Sequence, residues 1–179
     1  LRRRKNVIAK LALSVRFVGV LFIGLLILTA NLDVRAVRPV SSAPPYKIAA
    51  IKAMLFYDGK GTFSRDVLAK PDFTFWNTII GEGDAEGPSN STLVLVEVTG
   101  NPSPNEPSPS RKVEFTALAS GKILLKRTTD IGLFGDSGKF YAAFWLYDTG
   151  CQPIKVTARI IGQPQSSPMS KTIPFACGE

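Results

Sequence analysis

The chain has 179 residues, two cysteines, no histidine and a formal net charge of +8. This length suits one domain with a leader, and the lack of histidine removes Ser-His-Asp and Cys-His catalysis with the commonest zinc, copper and iron sites. Residues 1–40 hold eight Lys/Arg against one acid, Asp33, so the remainder is nearly neutral and offers no basic stripe for nucleic acid.

The chain opens on Arg2-Arg3-Arg4-Lys5, followed by an apolar stretch from Phe17 to Ala30. At about 1.5 Å per residue that stretch covers roughly 21 Å, short of a ~30 Å hydrocarbon core and suited to a signal peptide. Extending it back to Leu11 places Arg16 inside, where it would snorkel. Val34-Arg35-Ala36 offers small residues for cleavage. Residues 1–36 are therefore read as a signal peptide or an N-terminal membrane anchor helix. Either way the positive flank stays inside and the domain lies outside, on a periplasmic or extracellular face. Residues 37–46, with Pro44-Pro45, read as a linker.

Residues 47–179 carry short β-type runs between Gly and Pro. The expected strands are Ile48–Tyr57, Phe63–Leu68, Phe73–Ile80, Thr92–Thr99, Lys112–Ala119, Lys122–Thr129, Lys139–Tyr147, Ile154–Ile161 and Lys171–Ala176. Val94, Val96 and Val98 alternate with other residues, as do Ile154, Val156, Ala158 and Ile160, which marks half-buried antiparallel strands. The expected fold is all-β: a two-sheet antiparallel β-sandwich, immunoglobulin-like in the broad sense. The segment 101–110, with four prolines, is read as a long crossover loop, because the pieces on either side are too small to fold comfortably alone.

Gly81-Glu82-Gly83-Asp84-Ala85-Glu86-Gly87 places carboxylates at alternate positions, like the first half of a calcium loop. Glu82, Asp84 and Glu86 are the candidate ligands. The pattern fails at its twelfth position, Leu93, and a plain turn accounts for the glycines equally well. Asn90-Ser91-Thr92 matches a glycosylation sequon.

In Phe140–Tyr147, Phe140, Phe144 and Leu146 would face one side, with Tyr141, Trp145 and Tyr147 on the other. The ordinary reading is a central strand covered on both faces. The sharper reading is an exposed aromatic strip, with Trp76 nearby, that docks a protein or stacks on sugars.

Cys151 and Cys177 flank the last two expected strands. A hairpin register pairing Ile154 with Pro174 sets the two cysteines opposite each other, and a disulfide there closes a loop worth roughly 3 kcal/mol. Such a bridge suits an oxidising compartment.

No nucleophile, base or metal set is assembled in the sequence, and no cofactor is implied. The expected function is a non-enzymatic interaction or structural module, exported or membrane-tethered, acting as an accessory subunit or envelope protein with a protein partner. The alternative is a small-ligand binder of carbohydrate or calcium.

Overall fold

Alternation of apolar and polar residues becomes strand after strand in the computed structural model, which describes residues 46–100, 111–163 and 166–178. The strands are β1 (Tyr46–Tyr57), β2 (Thr62–Phe63), β3 (Ser91–Gly100), β4 (Lys112–Ala119), β5 (Lys122–Asp130), β6 (Lys139–Tyr147), β7 (Ile154–Ile161) and β8 (Met169–Ile173). The expected leader, 1–36, nearly all of the 37–46 linker, and the proline-rich 101–110 lie outside the described residues. Among the described residues no helix is long and apolar enough to cross a membrane.

Every strand ladder is antiparallel. One sheet has the order β2-β1-β3-β6, the other β5-β4-β7-β8. The chain passes from the first sheet to the second between β3 and β4, returns at β6, and crosses again to β7. The two sheets share one core. Ile51, Ala53 and Leu55 of β1, Val94, Val96 and Val98 of β3, and Ala142, Phe144 and Leu146 of β6 point into it from one side. From the other side come Val113, Phe115 and Ala117 of β4 and Ile154, Val156, Ala158 and Ile160 of β7. Phe115 stacks on Phe144 with ring centroids 4.3 Å apart, joining the sheets at mid-height. The fold is a β-sandwich-like pair of four-stranded sheets. Burying the inward faces of β1, β3, β4, β6 and β7 supplies the main driving force, about 25 cal/mol per Å² of apolar surface.

Four expectations need correction. Tyr46, assigned to the linker, is buried and opens β1, with Phe134 stacked on it at 5.2 Å and the Gln163 amide donating to its carbonyl at 2.7 Å.

Phe63–Leu68 is strand only at its first residue. Thereafter the Ser64 hydroxyl and the Asp66 carboxylate accept the β1 amides of Leu55 (2.8 Å) and Ala53 (3.0 Å), while Ser64 and Val67 donate to Leu55 and Ala53 carbonyls. Side-chain oxygens take the place of the backbone acceptors of a ladder, the local competition that Ser and Asp commonly offer, while the donors remain backbone N–H groups.

Phe73–Ile80 is no strand. Asn77 adopts a left-handed conformation and Thr78–Ile80 winds into a 3-10 turn. Phe75 and Asn77 instead form a short parallel bridge around Ala176.

The last hairpin is shifted by one. Ile154 pairs with Ile173, not Pro174, and the ladder runs to Ala158 opposite Met169. The next residues on the two arms are Pro153 and Pro174, which have no N–H to continue it. Residues 175–177 then turn toward the Phe75–Asn77 segment, and this extra residue brings Cys177 back beside Cys151. The two are bonded, with Cα atoms 4.7 Å apart.

Candidate functional site

β6 lies at an edge of its sheet, so the central-strand reading of Phe140–Tyr147 does not hold. Its alternation is as expected: Ala142, Phe144 and Leu146 are buried, whereas Tyr141 and Tyr147 are exposed and Trp145 is half-buried. The outward residues continue across the sheet. In the ladders Trp145 faces Leu93, which faces Met54; Tyr147 faces Ser91, which faces Phe56; and Phe56 faces Phe63 of β2. Phe56, Phe63 and Trp145 form a closed triangle of rings with centroids 5.1–5.7 Å apart, and Tyr147 touches Trp145 at 6.1 Å. Such tilted and edge-on pairs are favourable arrangements of aromatic quadrupoles. The indole N–H of Trp145 is buried with no acceptor among the described residues.

Tyr141 belongs to a different cluster on the same face. Glu97 of β3, a buried carboxylate, receives Lys139 at 2.7 Å, Lys52 at 2.9 Å and the Tyr141 hydroxyl at 3.2 Å. The Lys52 ammonium also sits 5.3 Å from the Tyr141 ring centre. Hydrogen bonds from Lys139 and then Lys52 pull the Glu97 pKa down to about 2 against the opposing effect of burial. The bond to Glu97 raises both lysines above their ordinary range. The face is thus apolar and aromatic at the Phe56–Tyr147 end and carries an ionic cluster of two lysines on one carboxylate at the other.

The cluster has a pH signature. A folded pKa below the unfolded 4.5 means that the Glu97 contribution is complete above about pH 5 and is lost as pH falls toward 2. The lysines have the opposite sign: their contribution is lost as pH rises through and beyond 10.5. Both ammonium groups are a third or more exposed and are screened, so the expected effect is on the order of 2 kcal/mol. Urea unfolding of Glu97→Gln and the parent should differ by that amount at pH 7 and converge near pH 2. Parallel stability curves across this range would contradict the assignment.

Trp76 is not brought to this face. Its half-exposed indole lies against Gly178 beside the disulfide, where the Gly178 amide donates to Asn77 Oδ1 at 3.1 Å.

The acids of the 81–87 loop take separate partners. Glu82 accepts from the Asn77 amide at 2.8 Å. Asp84 accepts from the Thr74 N–H at 2.8 Å and from Lys70 at 3.3 Å, which lowers its pKa, the Thr74 bond contributing most. Glu86 engages through its backbone, donating to the Tyr57 hydroxyl at 3.2 Å. Gly83 is left-handed and sits so close to the Thr74 carbonyl that a side chain there would collide with it. Asp84 and Glu86, with Tyr57, Arg65, Lys70 and Phe73, line a hollow of about 630 Å³. Among the described residues no three His, Cys, Asp or Glu side chains gather as a metal site.

Sequence reasoning missed Phe56, Phe63, Met54 and Leu93, the neighbours that turn two β6 aromatics into a surface. The signal was present in Ile51–Tyr57, which is apolar on both faces apart from Lys52. Compared with known protein families, curated proteins and solved structures, the chain matches none.

Proposed function

We propose that this chain is a non-enzymatic interaction or structural module, exported or membrane-tethered through residues 1–36, serving as an accessory subunit or envelope protein on the outer side of a membrane. The observation that carries the reading is the ring cluster of Phe56, Phe63, Trp145 and Tyr147, set on a rigid sheet face with Tyr147 70% exposed. Contiguous apolar surface beside polar residues is the usual character of a docking site, and Trp and Tyr supply large contact area with few torsions to freeze. The disulfide suits an oxidising destination. The strand order, β1-β3-β6 over β5-β4-β7-β8, supports an immunoglobulin-like arrangement in the broad sense.

The test is mild detergent extraction of the full chain from its native host, with identification of co-purifying proteins. Trp145→Ala with Tyr147→Ala is expected to release a partner that the parent retains. Tyr141→Phe, which leaves the ring cluster intact, should keep it. The same proteins recovered with all three chains would refute the aromatic face as the interface.

A second reading, a binder of a small ligand such as carbohydrate or calcium, draws on the 630 Å³ hollow beside Asp84 and Glu86. Lys70 and Arg65 line the same hollow, and Asp84 is already engaged. The melting temperature is therefore expected to be the same in millimolar calcium and in excess chelator. A calcium concentration a hundred times a true Kd would add about 2.7 kcal/mol and raise it.

A further inference from the structure

The four edges of the two sheets are not alike. β2 is two residues long, and β8 is five residues and carries Lys171. β5 has nine residues but carries Lys122, Lys126 and Arg127. Short strands and basic side chains keep edges from pairing with other chains. β6 has nine residues, its one charge is Lys139 at the first position, and among the described residues no strand pairs with its outer edge. Lys139 at the start of β6 already accepts the Gly135 N–H through its carbonyl; the free N–H and C=O groups along the rest of this apolar strand are a template for strand addition.

The space beside that edge is shaped to receive one. Leu125 and Arg127 of β5 pair with Ala117 and Phe115, the inward residues of β4, so their side chains share the inward face. Yet Leu125 is only half-buried and Arg127 is exposed. The first sheet ends at β6, and among the described residues it places no strand beyond it to cover them. A hollow of about 370 Å³ marks the gap, lined by Leu124, Leu125, Arg127, Trp145, Leu146 and Tyr147. Asp148 also borders it but makes no ion pair with Arg127.

Charge selects the occupant. Lys122, Lys126 and Arg127 make no ion pair among the described residues. A second copy offering its own β6 would bring no carboxylate from that strand and would add another set of the same cations. A strand with a carboxylate facing inward would give Arg127 a charge-assisted, bidentate partner.

We propose that the free edge of β6 accepts, in antiparallel pairing, an extended segment of another protein that lays an apolar side chain over Leu125 and a carboxylate on Arg127. This deepens the interaction-module reading and rests on it, naming the partner's chemistry and mode of attachment.

The probes are three nine-residue acetylated peptides of alternating Val and Thr. One carries a central inward Glu, one carries Lys there, and one is the Glu peptide N-methylated on the amides that would face β6. Binding to the full chain in mild detergent is followed by calorimetry and by Trp145 emission. The Glu peptide is expected to bind at least tenfold more tightly than the Lys peptide, the exposed-site variant Arg127→Glu to reverse that preference, and the N-methylated peptide not to bind. Equal binding of the Glu and Lys peptides, binding of the N-methylated peptide, or no binding of any would overturn the proposal. So would a sedimenting dimer dissolved by Ala143→Lys, which would assign the edge to a second copy. If the peptides fail while the co-purifying partner still depends on Trp145 and Tyr147, the module reading stands and the edge assignment alone falls.

Discussion

Replacing Phe115 by alanine is expected to lower the unfolding free energy by about 3–5 kcal/mol. Phe115 is fully buried, and its ring lies parallel to that of Phe144 across the two sheets. Its ladder neighbours are Ala158 on one side and Arg127 on the other. An alanine methyl is too small, and an arginine whose charged end stays in water is too polar, to fill the vacated space, so a cavity remains and Phe144 loses its stacking partner. Against a typical total of 5–15 kcal/mol, the variant is left marginal at physiological temperature. Urea unfolding followed by tryptophan emission measures this, with Tyr147→Ala as the control, because a side chain 70% exposed should change stability by about 0.5 kcal/mol or less. A Phe115→Ala loss below about 1 kcal/mol would mean that this stack does not hold the sheets together.

The second large effect is expected on removing the disulfide. Cys151→Ser with Cys177→Ser should cost roughly 3–4 kcal/mol, the chain-entropy value for a loop whose ends are 26 residues apart. Most of that acts through the unfolded chain, which gains freedom once the loop opens. The folded chain retains other ties on the same arm: Phe175 is buried against Phe75, and Ala176 bonds to Phe75 and Asn77. The double variant should therefore fold, with a melting temperature lower by roughly 10 °C or more, and the parent in reductant should match it. Alkylation of both cysteines in the folded parent without reductant would contradict the bridge.

How much was legible from sequence varies along the chain, and the reason is physical. β4 and β7 match their expected strands closely because each alternates strictly and buries one face, and β3 and β6 do so because each is a continuous β-branched or aromatic run bounded by turn residues. Where polar side chains can satisfy the backbone themselves, the pattern misleads. Phe63–Leu68 and Phe73–Ile80 contain enough aromatic and β-branched residues to look like strands. Yet Ser64 and Asp66 bond β1 directly, and Asn77 turns left-handed. The cysteine pairing was reached through a register wrong by one. The conclusion survived because two prolines end the ladder and the arm beyond them absorbs the difference. Of the candidate surface residues, Trp145 and Tyr147 lie side by side on one face. Tyr141 went to the Glu97 cluster and Trp76 to the disulfide end, because no local pattern encodes which strand becomes a neighbour.

Alternation and cysteine count, read from the residues alone, settle an all-β, disulfide-closed domain, since side-chain period and thiol spacing are properties of the chain itself. That β6 lies at an edge, and that Phe56 and Phe63 complete its aromatic face, follows from long-range strand order. Strand order depends on which surfaces bury each other best, a comparison that no stretch of residues makes on its own.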